Sequence, residues 1–412
     1  MNTAPPDVLA KPLTLPCGVV LPNRLAKAAM TEQMAGNDNA PNERIVRLYQ
    51  RWSDSGAGLL ITGNVMVDRR YLEHSRNVVV EDERDMNLLR RWAEAATQSG
   101  AHAWVQVSHA GRQCPKKVTR YPIGPSEVRV KGLESIIAKP RAMTGAEIEG
   151  TIARYARTAG IVKEAGFTGV QVHGAHGYLI SQFLSPIANQ RTDQWGGSLE
   201  NRMRFLLEVI RAVRETVGPG YPIGLKLNSA DFQRGGFSEE ESMQVVQAAE
   251  SAGIDLLEIS GGNYENPAFV AIAESTRRRE AFFLDYAEKV RRLVKLPLML
   301  TGGFRTAAAM SDAIDSGAID VVGLARPIAV EPDLPRRLLS GEATGAVPIT
   351  IRLGVKLLDD MMQSFWFNQQ MQRMADGLAP DPNRGKLPTF LVGARDNLLW
   401  NPFKRDRAAP HA

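Results

Sequence analysis

Cysteine is nearly absent: Cys17 and Cys114 are the only two in 412 residues. So few exclude a disulfide framework or a cysteine-ligated iron–sulfur cluster and fit a reducing compartment, with the cytoplasm as the default expectation. Long apolar runs are missing as well. The longest, around Gly58 to Val67, falls far short of the about 18–20 residues that span a bilayer, and prolines interrupt the first twenty residues where a signal peptide would have its apolar centre. No membrane association is expected. Neither charge sign dominates, the formal net charge being +5. The basic pieces at Arg277–Arg279 and around Lys404, Arg405 and Arg407 read as solvated faces or phosphate contacts, so no nucleic-acid partner is expected. A dinucleotide-binding turn is missing too. The nearest glycine-rich string, Gly218-Pro219-Gly220 to Gly224, has the wrong spacing and internal prolines for G-x-G-x-x-G.

What is present is a composition of ordinary globular type, 44% hydrophobic and 23% charged, and an alternation of short apolar or β-branched runs with longer helical segments. After a hairpin over 13–21 that turns at Cys17-Gly18, strand-like runs fall at 25–30, 58–65, 103–108, 169–173, 222–228, 256–260, 298–301 and 320–324. Between them lie amphipathic helices such as 199–217, where Leu199, Met203, Leu206, Ile210, Val213 and Val217 recur at three- and four-residue spacing. Thr144 with Glu147, and Ser238 with Glu241, form S/T-x-x-E capping boxes that mark two helix starts. Eight strand–helix alternations fit an α/β fold of the (β/α)8 TIM-barrel type better than an open doubly wound sheet. The expected organisation is a barrel over residues 1–340 with an N-terminal β-hairpin, and a C-terminal helical extension with a tail over 341–412. Within the extension, 351–377 reads as helical and rich in Met, Gln and aromatics, and the chain from Pro380 onward as irregular. The extension reads as packing on the barrel's outside, or as a lid or a subunit contact that would make a homo-oligomer.

Barrel chemistry gathers at the carboxyl ends of the strands. Those ends carry Thr31, then Gly63 and Asn64, Gln106 and His109, His173 and His176, and Lys226 and Asn228. The last three are Ser260-Gly261-Gly262, Thr301-Gly302-Gly303 and Gly323 to Arg326. Glycines let backbone amides approach a ligand, a helix starting near Thr306 offers amides to an anion, and Arg326 adds a charge, so the last two ends read as a phosphate site. For any single glycine, a tight turn is the plainer reading. The densest cluster is His173, His176 and Tyr178 in one strand-end loop, from only six histidines in the chain. His-x-x-His can ligate zinc, but no further ligand signature accompanies it and no metal is expected. Two neutral imidazoles could instead polarise a substrate carbonyl, with Tyr178 near enough to exchange a proton.

The run HGAHGYLISQFLSP followed by NQRTDQWGGSLENRMRF closely resembles the signature of the Old Yellow Enzyme family of flavin-dependent ene-reductases, also called NADH:flavin oxidoreductases. The resemblance extends through VQVSHAGRQ, NRLAKAAMT, LTGGFRT and VVGLARP and covers in effect residues 10–340. It implies a barrel that holds one FMN tightly and non-covalently, reduced by NADH or NADPH as a transient partner and reoxidised by an electrophilic alkene.

By the same resemblance, Thr31 would bind flavin O4 and Gln106 the pyrimidine edge, with Lys226 near N1 and O2. Ala28, Ala29 and Met30 would line the ring beside Gly63 and Asn64. Gly302, Gly303, Phe304, Leu324, Ala325 and Arg326 would hold the phosphate. His173, next to the flavin, and His176 would grip the substrate's electron-withdrawing oxygen, and Tyr178 would protonate the α-carbon.

Two residues depart from the family's pattern. Lys226 stands where Arg is usual, keeping the charge without the bidentate fork. Gln33 stands where one subgroup uses a tyrosine. With no dinucleotide domain, the nicotinamide would share the substrate pocket in a ping-pong scheme. The alternatives are oxidation, demethylation or nitro reduction on the same flavin scaffold, a metal-dependent barrel hydrolase built on His173 and His176, and a non-catalytic flavin-binding protein.

Overall fold

The computed structural model describes residues 7–265, 280–349 and 356–398; the basic run Arg277–Arg279 and the cluster Lys404, Arg405 and Arg407 lie outside them. Eight parallel strands close into a barrel in chain order. They are β1 (Leu25–Lys27), β2 (Leu59–Met66), β3 (His102–Ser108), β4 (Gly169–Gly174), β5 (Ile223–Asn228), β6 (Leu256–Ser260), β7 (Leu298–Thr301) and β8 (Val321–Leu324), and β8 returns to β1 through Val322 against Leu25. The expected eight runs all became strands, most within a residue or two; the first is shorter, ending at Lys27.

Helices ring the barrel: α1 (Glu43–Ser53), α2 (Met86–Thr97), α3 (Gly145–Glu164), α4 (Leu199–Val217), α5 (Glu239–Ser251), α6 (Leu284–Arg291), α7 (Ala307–Asp315), α8 (Arg326–Val330) and α9 (Leu334–Leu339). The capping boxes at Thr144 and Ser238 both form, each side chain accepting from the amide three residues on.

Both faces of each strand are buried, and the period of two decides what each face does. In β3 to β6 the outward set, including Val105, Val170, Leu225 and Ile259, packs under the helices. The inward set is polar towards the carboxyl ends and apolar at the bottom. There Trp104 fills the bore with Ala26, Leu59, Ile61, Leu256 and Met299. The antiparallel hairpin of Leu13–Thr14 and Val20–Leu21 plugs this end, Leu13, Leu15 and Leu21 joining the same cluster. Trp104 needs bare backbone on the neighbouring strands. A Cβ at Gly169 would come 2.5 Å from its ring, and one at Gly224 2.9 Å.

The C-terminal extension is helical and packs on the barrel that precedes it. Helix α10 (Lys356–Ala375) lies against α1 and α8. Asn368 Nδ2 donates to the carbonyl of Glu32 at 3.0 Å, and Arg47 Nε donates to that of Ala375 at 2.8 Å. The expected irregular tail is corrected: residues Lys386–Leu398 form α11. Pro388 is the third residue of this helix, in the first turn, where an amide would have no intrahelical partner. Tertiary contacts then fix the tail, as Trp366 Nε1 donates to Arg384 O at 3.1 Å and Gln369 Nε2 to Thr389 O at 2.9 Å. No described helix is long and apolar enough to cross a membrane.

Trp104→Ala is expected to lower the unfolding free energy by about 3–5 kcal/mol in urea denaturation. Gly169→Ala should also destabilise, and by clearly less when Trp104 has been shortened to Leu. An unchanged cost in that background would show that Trp104 does not impose the glycine.

Candidate active site

Above Trp104, the inward residues of four adjacent strands form one hydrogen-bonded chain. Gln106 Nε2 donates to Gln171 Oε1 at 2.7 Å, Gln171 Nε2 donates to Glu258 Oε2 at 2.7 Å, and Lys226 Nζ donates to Glu258 Oε1 at 2.8 Å. Gln171 and Glu258 are fully buried and Lys226 nearly so. Gln106 and Lys226, singled out in the sequence, are thus joined by two residues that were not. The signal for these lay in the period-two pattern: Gln171 precedes His173 by two and Glu258 precedes Ser260 by two, each a polar residue inside an apolar strand.

A bulge in β2 sets the level of this chain. The pairing jumps from Ile61 opposite Trp104 to Asn64 opposite Gln106. Thr62 Oγ1 accepts from the Gln106 amide at 3.0 Å, and a Cβ at Gly63 would come 2.5 Å from the Met30 carbonyl and strike the Glu32 carboxylate.

One layer higher stand His173, His176 and Tyr178. The His173 ring lies edge-on to His176 and Tyr178, with centroids 5.2 and 4.8 Å apart. His176 adopts φ +61°, its Nε2 is 2.7 Å from Ser260 Oγ, and its amide donates to Asn228 Oδ1 at 3.2 Å. Gly177 follows at φ +76°, where a Cβ would strike Gln113. Burial first, and the Lys226 cation next, hold both imidazoles well below the usual histidine pKa, so both are neutral at pH 7. Burial, with Glu73 and Tyr264 adding to it, raises Tyr178 well above the ordinary phenol, so it holds its proton. His109, one strand earlier, is also kept neutral, its pKa lowered to about 4 by burial; its Nδ1 accepts from the Gly111 amide, so it braces a turn.

A cavity of about 350 Å³ opens at the carboxyl ends of β5 to β8. His176, Lys226 and Ala29 line one end, and Gly303, Arg305 and Arg326 the other. Gly302 and Gly303 have φ +135° and +91°, and a Cβ at Gly303 would come 2.8 Å from the Phe282 ring. The hydroxyl of Thr301 is buried at the wall with no hydrogen-bond partner among the described residues. A backbone cradle, a buried hydroxyl and guanidinium groups together with the Lys226 ammonium suit an anionic group carrying a polar aromatic ring.

The expected phosphate contact at the amino end of α7 is corrected. Thr306 caps that helix as anticipated, but Glu280 Oε2 accepts from the amides of Arg305 and Thr306 at 2.7 and 3.0 Å. A carboxylate from a distant loop already satisfies them. Gly302, Phe304, Leu324 and Ala325 do line the cavity.

Thr31 and Asn64 gather elsewhere, around Glu73, whose Oε2 is 3.5 Å from Thr31 Oγ1 and 3.4 Å from Asn64 Nδ2. Ala28 continues β1 by donating to Leu324 O at 2.9 Å, and Met30 packs against the core. Among the described residues, no group of three or more His, Cys, Asp or Glu side chains is placed to hold a metal ion.

A family model described as NADH:flavin oxidoreductase / NADH oxidase matches residues 8–344. The NADH-dependent flavin oxidoreductase iliE of Hypocrea jecorina is 38% identical over 355 residues, covering 80% of this chain and 88% of the relative. The protein of the same name from Neonectria sp. is 36% identical over 390 residues, covering 88% of this chain but only 51% of its own length. Among solved structures, the old yellow enzyme homologue from Zymomonas mobilis superposes with a TM-score of 0.70 at 25% identity over 83% of this chain and 95% of its own. Morphinone reductase in complex with tetrahydroNAD superposes with a TM-score of 0.68 at 28% identity, over 82% and 91%.

Because Glu258 is the counter-charge of a buried ammonium, Glu258→Ala should lower the unfolding free energy by about 3–5 kcal/mol. Replacing both members, Glu258→Met with Lys226→Met, should recover much of that loss in urea denaturation followed by circular dichroism. Equal costs for the single and the double variant would contradict the pairing.

Proposed function

The chain belongs to the NADH:flavin oxidoreductase / NADH oxidase family, flavin oxidoreductases with FMN as cofactor and NADH as reductant, and from that premise we propose that it reduces the activated C=C bond of α,β-unsaturated carbonyl-type compounds. The observation that carries this reading is the contiguous cluster of neutral His173, His176 and Tyr178, of which His176 lines the cavity together with Lys226 and Arg326.

FMN, when bound, supplies the site that takes hydride from NADH and gives it to the alkene's β-carbon. The protein's own groups do the rest. Gly302, Gly303, Phe304, Leu324, Ala325 and Arg326 hold its phosphate; Gln106, Thr31 and the backbone of Ala28 to Met30 hold its ring, with Gly63 and Asn64 alongside. Lys226 places a positive charge where the reduced ring carries negative charge. Glu258 keeps that ammonium in position, and Gln171 carries the constraint on to Gln106.

His173 and His176 polarise the substrate's carbonyl. Neutral imidazole donors suit an oxygen that becomes enolate-like, because they stabilise growing charge without protonating the oxygen. Tyr178, whose burial keeps it protonated, gives its proton to the α-carbon. The morphinone reductase structure with tetrahydroNAD supports a nicotinamide in a pocket of this fold. Sharing this cavity, nicotinamide and alkene would take turns in it.

The purified protein should be yellow and release FMN on heating. With 2-cyclohexenone under anaerobic conditions, double-reciprocal plots against NADH should be parallel. Tyr178→Phe should slow alkene reduction by about 10²–10⁴-fold, the usual contribution of a general acid, and His173→Ala should raise KM and lower kcat. Enone reduction at the parent rate by both variants would overturn the role assignment. A reduced flavin that passes electrons to nitroarenes but not to enones would move the activity to nitro reduction.

A further inference from the structure

A buried phenol that gives up a proton in every turnover has to recover one, and Tyr178 is only 6% exposed. Its hydroxyl lies 2.9 Å from that of Tyr264, and Tyr264 Oη lies 3.3 Å from Oε1 of Glu73. The other carboxyl oxygen of Glu73, Oε2, accepts from Asn77 Nδ2 at 3.3 Å and Asn64 Nδ2 at 3.4 Å, with Thr31 Oγ1 at 3.5 Å. With Oε2 committed as an acceptor, a proton on this carboxyl group belongs on Oε1, facing Tyr264. We propose that Tyr264 and Glu73 form a proton relay that recharges Tyr178 after each substrate protonation.

This rests on Tyr178 being the proton donor in the reading above. As the C–H bond forms at the α-carbon, the Tyr178 O–H bond breaks. The phenolate then takes the proton of Tyr264, Tyr264 takes that of Glu73 Oε1, and the carboxylate left behind takes one from solvent. No electrons move in these steps; the hydride pair has come from NADH.

The direction of the hydrogen bonds also depends on Glu73. A protonated carboxyl donates to Tyr264, Tyr264 donates to Tyr178, and Tyr178 is left with its proton free for the substrate. An ionised carboxylate reverses the chain, because Tyr264 then donates to Glu73. Burial raises the Glu73 carboxyl above its ordinary range, and the hydrogen bonds from Asn77, Asn64, Tyr264 and Thr31 pull it back only in part. The titratable groups that face this chain are Lys117, which senses the Glu73 charge, and His173 against Tyr178. Glu265, next to Tyr264, is already paired with Arg112 at 3.0 Å. Neither Tyr264 nor Glu73 touches the reacting carbon; both act through Tyr178.

The test uses the FMN-loaded enzyme, anaerobic stopped flow and 2-cyclohexenone as probe. It compares the first alkene reduction with the later ones and normalises each to the NADH step of the same variant. In the parent, the alkene step should fall as pH rises through the Glu73 titration, because the acid form is the one poised to donate. Glu73→Gln should place its amide N–H towards Tyr264 and its oxygen towards Asn64 and Asn77. The orientation is then kept at every pH, but the side chain cannot pass a proton on. Its first turnover should be independent of pH, with later turnovers slower by roughly tenfold or more, within the range of general-acid contributions. Glu73→Asp should restore the parent's pH profile, and Tyr264→Phe, which cuts the relay, should slow later turnovers more than the first.

If Glu73→Gln and Tyr264→Phe keep the parent's rates and pH profile while Tyr178→Phe is slow, the relay is wrong and the donor stands. If Tyr178→Phe matches the parent, the donor assignment falls, and the relay with it.

Discussion

A carboxylate inside the bore of a closed parallel barrel has no water to solvate it, so it must be met by a cation and by donors or it will not stay ionised. Glu258 is such a group, fully buried on β6, and its two oxygens are taken separately. Lys226 holds Oε1 and Gln171 holds Oε2. Each partner is thereby fixed for a second task. Lys226 reaches the cavity wall with its side chain locked, and Gln171 turns its carbonyl oxygen to Gln106. A single buried negative charge thus sets the position of both Lys226 and Gln106.

The same ammonium shapes the layer above. Lys226 stands opposite His173 in the strand register and adds to the burial that keeps His173 and His176 uncharged. A cation beside two imidazoles makes a second and third positive charge unfavourable, so the histidines remain neutral donors. Glu258, opposite Lys226 in the strand register, offsets the Lys226 charge. The barrel separates these roles by depth: an apolar floor around Trp104, a charged and amide-lined middle, and neutral donors at the top. Residues two apart on one strand share a face, so adjacent layers differ by two in sequence number, as Gln171 and His173 or Glu258 and Ser260 do.

The strand-end histidines, Tyr178 and the glycine-rich ends of β7 and β8 were legible in the sequence because each lies within a few residues of its partners. So were the strands, whose apolar runs are short and separated by capped helices. Gln171 and Glu258 were harder to see, since a polar residue in a strand reveals its partner only when the register of the next strand is known. Glu280 and Glu73 were invisible for a different reason. The first comes to the start of α7 from a loop 25 positions earlier, and the second meets Tyr264 across 191 residues; no local pattern encodes either meeting. The tail after Pro380 misled in the opposite direction, because a proline's effect on a helix depends on which turn it occupies.

The extension supplies a final constraint that neither layer nor strand pattern contains. Asn368 of α10 binds the backbone carbonyl of Glu32, and Glu32 in turn accepts from the amide of Gly63 at the β2 bulge, at 2.8 Å. Gln363 of the same helix accepts from Arg326 at 2.8 Å, at the far end of the cavity. One helix therefore grips both the loop that carries Thr31 and the Arg326 guanidinium at the cavity wall. The barrel strands position groups along its axis, but the loops at its mouth have no such register. A helix laid across that mouth gives them one, which explains why residues beyond the last β-strand pack against α1 and α8 on the barrel.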